Sequence, residues 1–250
     1  MNLIIIIYYS CAEAPERVVG GDRAAIGEMP YQCSLRVYNN HICGASIISE
    51  RHVVTAAHCV DDWDEPTNPR YTVVCGTNYL NSYGHIYNVK DVIVHPEYKG
   101  TSETSWKNDI AVIQLLQFIT FTEYEKAIGL CETEIPNYSV LRLSGWGRIY
   151  AKGPISPSLL KTDMYYIDNS SCQKQHKLKI HNEQLCAVNQ KGIGACQGDS
   201  GGPLTYNGKL CGIVSWVIPC AAGVPDVYTK ILYYKQFIKE YICKFLNEYY

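Results

Sequence analysis

Short apolar runs separated by turn-forming residues dominate the chain from Val18 onward. Seven of these runs, each four to eight residues long, are rich in the β-branched and aromatic residues that favour strands. Gly, Pro, Asn and Asp lie between them, and this spacing is typical of a β-sandwich or β-barrel. The pattern therefore predicts strands at residues 31–38, 52–55, 71–74, 91–94, 110–116, 140–144 and 209–216.

Only the carboxyl-terminal segment has a helical pattern. Its large apolar residues recur at steps of three or four positions, while lysines occupy the other faces. We expect one terminal helix at about 233–246, and no repeat, linker or low-complexity segment interrupts the chain. The apolar positions that carry this prediction are Ile231, Tyr234, Ile238, Tyr241 and Phe245.

Composition narrows the class of protein. The chain has 250 residues, of which 47% are hydrophobic and 18% charged, and this excludes a disordered chain. The formal charge of −2 gives no basic footprint for nucleic acid. No stretch beyond the amino terminus approaches the ~20 apolar residues that a membrane helix needs. The length suits one large all-β domain or two modest ones.

Twelve cysteines, about one residue in twenty, indicate an oxidising compartment. Zinc is the rival explanation for so many thiols, but zinc sites need closely spaced pairs. The closest cysteines here, such as Cys33 and Cys43, lie nine or ten residues apart. We therefore expect disulfide bonds and no metal site.

The amino terminus resembles a secretory signal peptide. Residues 3–9 form the apolar run LIIIIYY, and small residues follow up to Ala14. We expect residues 1–14 to be a signal peptide, cleaved after Ala12 or Ala14, and the mature protein to be soluble and extracellular. A buried strand or a truncated start is the alternative.

Three short segments carry candidate chemistry: TAAHC around His58, NDIAV around Asp109 and GDSGGP around Ser200. Each segment alone is weak, because a lone histidine is usually structural and Gly-Asp-Ser-Gly is also plain turn chemistry. Together they supply His, Asp and Ser in that chain order, 51 and then 91 residues apart.

With these motifs in place, the chain from Val18 to the terminal helix resembles the chymotrypsin family of serine proteases, in the trypsin/chymotrypsin superfamily. Its pocket residues are most similar to those of arthropod chymotrypsins and broad-specificity collagenolytic serine proteases. The resemblance implies an all-β fold of two packed six-stranded antiparallel β-barrels with a C-terminal α-helix. It divides a peptidase domain at 18–250 into barrels at about 28–130 and 131–232, with the catalytic cleft between them.

The resemblance also implies roles for the motif residues. Ser200 would attack the peptide carbonyl, His58 would accept and return the proton, and Asp109 would orient His58. The backbone N–H groups of Gly198 and Ser200 would form the oxyanion hole. The reaction would be peptide-bond hydrolysis through an acyl-enzyme, without cofactor. The alternative is a catalytically silent homologue that binds proteins, although no triad residue is missing.

Arg17 directly precedes Val-Val-Gly-Gly, which resembles the family's activation site. Residues 15–17 would then be a short propeptide, and a trypsin-like protease would cut after Arg17. The new ammonium of Val18 would form a buried ion pair with Asp199 and shape the oxyanion hole. An ordinary exposed arginine in a tail is the alternative.

The specificity pocket departs from that of trypsin. Gly194 occupies the pocket floor where trypsin-like members carry Asp, and Val217 should narrow the mouth. Asp226 should lie against the pocket and attract a cationic side chain. We expect apolar residues at P1, the residue before the cleaved bond. The alternatives are broad specificity that includes Lys and Arg, or an Asp226 capped by backbone donors and without effect. The implied substrate-binding residues are Gly194, Ala195, Gln197, Ser215, Trp216, Val217 and Asp226.

Three disulfides follow from the resemblance, namely Cys43–Cys59, Cys172–Cys186 and Cys196–Cys220. Cys33 and Cys75 fall on strands that the fold places side by side, so either a bridge or two free thiols fits. Cys131, Cys211 and Cys243 have no assigned partner. Cys131 resembles the position that ties some members to their propeptide, but its partner would have to be Cys11, which signal cleavage should remove. Eleven cysteines remain after signal cleavage, so at least one thiol should stay free.

The expected partners are protein or peptide substrates, a trypsin-like activator and protein protease inhibitors. We expect a monomer that binds neither nucleic acid nor membranes. A regulatory activator in a proteolytic cascade is a further alternative, which the missing accessory domain and the non-trypsin pocket disfavour.

Overall fold

The computed structural model describes residues 19–63, 70–82, 84–218 and 220–246. The predicted signal peptide, the propeptide, Arg17 and Val18 lie outside this part of the chain. The described strands are β1 (Asp22–Arg23), β2 (Gln32–Val37), β3 (Asn40–Ser49), β4 (His52–Thr55), β5 (Tyr71–Cys75), β6 (His85–Val94), β7 (Ala111–Leu115), β8 (Gly129–Leu130), β9 (Val140–Gly145), β10 (Leu160–Ile167), β11 (Gln184–Val188), β12 (Pro203–Tyr206), β13 (Lys209–Trp216) and β14 (Asp226–Lys230), and the α-helices are α1 (Asn169–Gln173) and α2 (Ile231–Leu246).

The first barrel closes in the order β2-β3-β4-β7-β6-β5, with every neighbouring pair antiparallel. Its interior is filled by β-branched and other apolar side chains, including the fully buried Ile47, Val53, Val73 and Ile113. Burying this surface is the main favourable contribution to folding.

The second barrel is formed by β9, β10, β11, β14, β13 and β12, and pairing of β9 with both β10 and β12 closes it. Two short strands attach outside this ring, because β1 pairs with β10 and β8 pairs with β13. The predicted fold class, two six-stranded antiparallel barrels with a C-terminal helix, is therefore confirmed.

Most predicted strand bounds differ from the observed ones by at most one residue, and three larger differences occur. Strand β6 begins at His85, six residues before the predicted start at 91, and α2 begins at Ile231 rather than at about 233. The segment Gly129–Leu130, assigned by sequence to the first barrel, joins the second sheet as β8. In the first half of β6, which the sequence pattern did not predict, the side chains alternate between the solvent and the interior: Ile86 points outward and Tyr87 inward.

Helix α2 follows the last strand of the second barrel and packs back onto the first. Ile231, Tyr234 and Ile238 are buried in the same apolar cluster as the first-barrel core. This return ties the two barrels together. Within the described residues, no helix is both long and apolar enough to cross a membrane.

The described cysteines form five disulfides, including the three implied by the resemblance: Cys43–Cys59, Cys172–Cys186 and Cys196–Cys220. Cys33 and Cys75 are bridged across neighbouring strands, which decides between the two alternatives left open by the sequence.

The sequence left the partner of Cys131 open, and the structure does not pair it with Cys11 of the resembling propeptide position. Cys131 is bonded to Cys211, which lies on β13 beside it, because the segment around β8 runs along that strand. Cys243 on α2 is the one described cysteine outside a bridge, and it is exposed. One free thiol is what the count of eleven mature cysteines requires.

Candidate active site

His58 and Asp109 are brought together at the edge of the first barrel. His58 lies in a short 3-10 helix that follows β4, and Asp109 lies two residues before β7. The Nδ1 of His58 is 2.8 Å from Oδ2 of Asp109, and the backbone N–H of His58 donates to Oδ1 at 3.0 Å. Two bonds to one carboxylate fix both the ring and the backbone, so Nε2 is directed away from Asp109.

Asp109 is completely buried, and the second barrel holds it. Oγ of Ser215 donates to Oδ2 at 2.6 Å, while Oγ1 of Thr229 donates to the backbone carbonyl of Asp109, also at 2.6 Å. The preceding Asn108 has a positive φ of 63° and accepts a hydrogen bond from the hydroxyl of Tyr234 on α2. The hydrogen bonds from His58 and Ser215 to the carboxyl group of Asp109 compensate for its burial and fix its orientation.

Ser215 was expected to line the substrate, but its side chain supports Asp109 instead. The register between β13 and β14 shifts between Val214 and Trp216, which makes Ser215 the extra residue of a β-bulge. Bulges redirect side chains at sheet edges. This one turns the Ser215 hydroxyl toward Asp109, while its backbone stays on the strand at the cleft.

Ser200 lies in a tight loop between the pocket wall and β12. Among the described residues, its Oγ makes no hydrogen bond, and neither the N–H of Ser200 nor that of Gly198 donates to a protein acceptor. Gly198 has a φ of 97°, a conformation that side chains rarely adopt, and a Cβ there would lie 3.1 Å from Cα of Gly147. A glycine is therefore needed to present that N–H to a ligand.

The loop of Ser200 packs tightly against the first barrel. The N–H of Gly44 on β3 donates to the carbonyl of Ser200 at 2.7 Å. A Cβ on Gly201 would come within 2.1 Å of Oγ1 of Thr55, three residues before His58. These contacts between barrels place Ser200 beside the segment that carries His58.

The pKa of His58 lies above its ordinary value. Burial lowers this pKa, but the charge of Asp109 and its hydrogen bond raise it by more, with help from Asp61. The side chain remains 27% exposed, so the ring can exchange protons with a bound substrate. This combination suits a general base and acid near neutral pH.

An acidic group lies at the base of the candidate specificity pocket, and Asp226 supplies it. Asp226 is only 2% exposed, and its Oδ2 accepts the N–H of Ala195 at 2.8 Å. A Cβ on Gly194 would lie 2.9 Å from the same oxygen, so the two positions share one space. Burial, opposed by the Ala195 hydrogen bond and assisted by the charge of Asp199, raises the pKa of Asp226 to about 8.

The remaining predicted pocket residues lie around this base. Ala195 is fully buried, Val217 is half-buried against the second-barrel core, and Gln197 is exposed at the rim. The Gln197 carbonyl accepts the N–H of Arg148 at 2.8 Å, which links the rim to the loop after β9. Trp216 is 8% exposed at the end of β13.

Sequence reasoning missed two aromatic partners of Trp216. The ring of Trp106 lies 6.0 Å from that of Trp216, and the ring of His176 meets it edge-on at 5.0 Å. His176 was interpreted as structural or surface, and its Nε2 is held by the carbonyl of Pro225 at 2.8 Å. No local signal could have found this grouping, because the three residues lie on separate loops and strands.

Asp199 is completely buried next to Ser200. Its Oδ1 accepts the N–H of Gly147 at 2.7 Å and its Oδ2 that of Cys196 at 3.0 Å. Burial raises the pKa of Asp199 to about 6, although these two hydrogen bonds act to lower it. Val19, adjacent to the predicted cleavage point, lies near this region, since its carbonyl accepts the N–H of Gly194 at 3.2 Å.

One cluster of metal-ligating atom types occurs among the described residues. The ligand atoms of Cys43, His58 and Cys59 lie within 4.8 Å of one another. The two sulfurs are bonded to each other, so they offer no thiolate to a cation. The cluster is the disulfide that anchors the segment of His58.

Comparisons with known proteins agree with this geometry. The family model described as Trypsin matches residues 18–238. The chain is 37% identical to chymotrypsin-2 of Vespa crabro over 89% of this chain and 99% of that protein. It is 35% identical to the vitellin-degrading protease of Bombyx mori (90% and 86% covered) and 36% identical to trypsin zeta of Drosophila melanogaster (89% and 84%). The solved structure of mouse neuropsin, a serine protease, superposes with a TM-score of 0.82 at 30% identity, covering 89% of this chain and 99% of that one.

Proposed function

The chain belongs to the trypsin family of serine proteases and is a serine endopeptidase, and from that premise we propose that Ser200, His58 and Asp109 are its catalytic triad. One arrangement carries the proposal. The buried Asp109 orients His58, and the loop of Ser200 lies against the same segment with two backbone N–H groups unengaged by the protein.

The proposed mechanism assigns one task to each group. His58 accepts the proton of Ser200 as its Oγ attacks the peptide carbonyl, and then gives it to the departing amine. Asp109 stabilises the imidazolium that forms between these steps. The N–H groups of Gly198 and Ser200 bind the developing oxyanion, and each such donor contributes about 3–4 kcal/mol to the barrier reduction in comparable sites. Water then hydrolyses the acyl-enzyme by the same route.

For substrate preference, we propose apolar residues of small or medium size at P1. Two methyl groups of Val217 narrow the space beside Trp216, and an apolar side chain avoids desolvating a charge. Asp226 supports a second, broader candidate, because its carboxyl group at the pocket base would attract Lys or Arg once ionised. Both candidates act on protein substrates, as proteases of this family do.

We also propose secretion and activation by a cut after Arg17. The apolar segment at residues 3–9 and five disulfides support a secretory route. Activation is supported by the buried Asp199, whose carboxylate has no cationic partner among the described residues. An ammonium at Val18 would supply one.

The test is covalent labelling of the enzyme after cleavage at Arg17. A peptidyl phosphonate with Leu at P1 should modify Ser200, as located by peptide mass mapping, and hydrolysis of a Leu anilide should cease in parallel. Ser200→Ala should neither label nor hydrolyse, whereas Ser102→Ala, which removes an exposed hydroxyl, should do both. An unlabelled Ser200 in correctly cleaved protein would support the silent homologue instead.

A further inference from the structure

A pocket of about 340 Å³ opens beside the catalytic loop. It lies between the β2–β3 turn and the loop that follows β9. None of the described Asp and Glu residues lines it. Its walls include Arg36, Asn39, His41, Leu80, Ile155 and Pro157.

Arg36 brings an unneutralised positive charge to this pocket. Its side chain is part of a residue only 5% exposed, and its acceptors are all neutral: Oγ of Ser34 at 3.1 Å, Oδ1 of Asn39 at 3.1 Å and the carbonyl of Leu80 at 3.0 Å. It forms no ion pair with any described residue, and two of its five N–H groups have no acceptor there. Buried charges are normally paired, so this guanidinium can still take an anion.

A second cation lies next to the same wall. Arg148 forms an isolated β-bridge with Ile155, one of the lining residues, and its Nη1 donates to the carbonyl of Gly153. Arg148 likewise has no carboxylate partner among the described residues. Two cations without a matching acid give this side of the cleft a positive potential.

The pocket is connected to the catalytic loop by consecutive hydrogen bonds. Nε of Arg36 donates to Oγ of Ser34, which contacts Nδ1 of His41 at 2.8 Å, and Nε2 of His41 contacts the carbonyl of Gly198 at 2.9 Å. Burial lowers the pKa of His41 to about 4, so the ring is neutral and donates from Nε2 only. Gly198 is the residue whose N–H is proposed to bind the oxyanion.

This position corresponds to the departing half of the substrate. The residues before the cleaved bond would lie along Ser215–Val217, on the second barrel. On the opposite side, Ser200 contacts Gly44 of β3, the strand that also carries His41. In the proposed binding mode, the chain beyond the cleaved bond would pass over β3 and the pocket of Arg36.

We propose that Arg36 binds an acidic side chain of the substrate, Asp or Glu, located within a few residues after the cleaved bond. This inference rests on the proposed function, since it names a specificity-determining residue for that reaction. A carboxylate of the substrate would occupy the two remaining N–H groups of Arg36 and neutralise its charge. Charge-assisted hydrogen bonds of this kind are stronger than neutral ones.

The first test uses the wild-type enzyme. Fluorogenic peptides with Leu at P1 carry Glu, Gln or Lys at one of the four positions after the cleaved bond, with all other residues fixed. At one of these positions, kcat/KM for Glu should exceed that for Gln by roughly tenfold or more, as one hydrogen bond to a charged group provides. Lys at that position should be the poorest of the three.

A Leu anilide, which has no residue after the cleaved bond, distinguishes failure of the proposed protease function from failure of the proposed role of Arg36. If the anilide is not hydrolysed and the phosphonate does not label Ser200, the proposed function itself fails. If the anilide is hydrolysed but Glu and Gln are equal at all four positions, only the role of Arg36 is overturned and its bonds are structural.

Variants then assign the effect to Arg36. Asn39→Asp places a carboxylate beside Nη1 of Arg36 on an exposed turn. The new carboxylate should pair with the guanidinium in place of the substrate, so it should reduce the ratio of kcat/KM for Glu to that for Gln. Arg36→Gln should bring the ratio close to one, and Arg36→Lys should retain part of it. Lys239→Gln changes the net charge equally on the exposed face of α2 and should leave the ratio unchanged. A ratio that survives both Asn39→Asp and Arg36→Gln would contradict the proposal.

Discussion

Asp226 illustrates how one residue decides the pocket's chemistry. Its carboxyl group is buried against the backbone of Ala195 and fills the space that a side chain at Gly194 would need. The pocket base is therefore acidic even though Gly194 carries no charge. With a pKa of about 8, Asp226 is mostly neutral at pH 7 and ionised above pH 9.

This titration predicts a pH-dependent P1 preference. Below pH 8 the neutral carboxyl group offers no attraction to a cation, and above pH 8 the carboxylate attracts a Lys side chain, which stays protonated to about pH 10. The ratio of kcat/KM for Lys to that for Leu at P1 should rise up to about tenfold per pH unit below pH 8 and level off above it. Parallel rate profiles for the two anilides measure this ratio, and titration of His58 cancels in it.

The matched variant is Asp226→Asn, which keeps the size of the side chain. It should remove the pH dependence of the ratio and leave only the apolar preference. A ratio that is flat with pH in the wild type would mean that Asp226 takes no part in selection.

The proposed triad shows what single residues reveal in a sequence. TAAHC, NDIAV and GDSGGP are local motifs, so His58, Asp109 and Ser200 could be found without coordinates. Ser215 and Arg36 could not be assigned in this way. The hydroxyl of Ser215 reaches Asp109 only because a bulge turns it, and Arg36 acquires its surroundings from segments as distant in sequence as Leu80.

At the scale of elements, the disulfide Cys131–Cys211 joins the segment of β8 to β13. It closes a loop of 80 residues, for which chain entropy predicts a stabilisation of about 4.5 kcal/mol. Both cysteines are buried in the second-barrel cluster. The bridge therefore contributes to the stability of the second barrel and not to attachment of the propeptide.

Replacing both residues, Cys131→Ser with Cys211→Ser, should lower the melting temperature by roughly 10–15 °C, the shift expected for that loss of stability in a domain of this size. Calorimetry on the Ser200→Ala background avoids self-digestion during heating. The control is Cys243→Ser, which removes the free thiol and should change the melting temperature little. A double variant as stable as this control would contradict the assigned bridge.

Element boundaries show where a pattern fails. The strand at residues 209–216 was predicted with its observed bounds, because its continuous apolar run has a single interpretation. The first half of β6 was missed, since the apolar Ile86 faces outward and breaks the expected alternation of apolar and polar residues. Its partner β5 and the barrel closure, which are long-range features, hold that half in place.

At the scale of the whole molecule, activation would couple the amino terminus to the catalytic loop. Asp199 is buried beside Ser200, and among the described residues its carboxylate is stabilised only by the N–H groups of Gly147 and Cys196. Burying an unpaired carboxylate costs several kcal/mol, which an ammonium at Val18 would offset. The catalytic loop should then reach its active geometry only after the cut.

Arg17→Gln should therefore yield a secreted protein that trypsin cannot activate. Amino-terminal sequencing should find Val-Val-Gly-Gly in the wild type after treatment and no such terminus in the variant, and anilide hydrolysis should follow the new terminus. Arg23→Gln, an exposed arginine on β1 outside the motif, should be activated like the wild type. Full activity of uncleaved Arg17→Gln would refute the coupling.

The sequence by itself determined the β-rich class of this protein and its terminal helix, and it supplied the three motifs of the proposed triad and the high cysteine content that indicates disulfide bonds. These features depend on residue types at fixed local spacings, which reflect strand and helix periodicity and the chemistry of individual groups. Only the tertiary structure decided the partners of Cys33 and Cys131, the bulge that turns Ser215, the hydrogen bond from Ala195 to Asp226, and the charge of Arg36 that no described carboxylate compensates. Each of these depends on contacts between segments far apart in the chain, and closure of the two barrels sets those contacts.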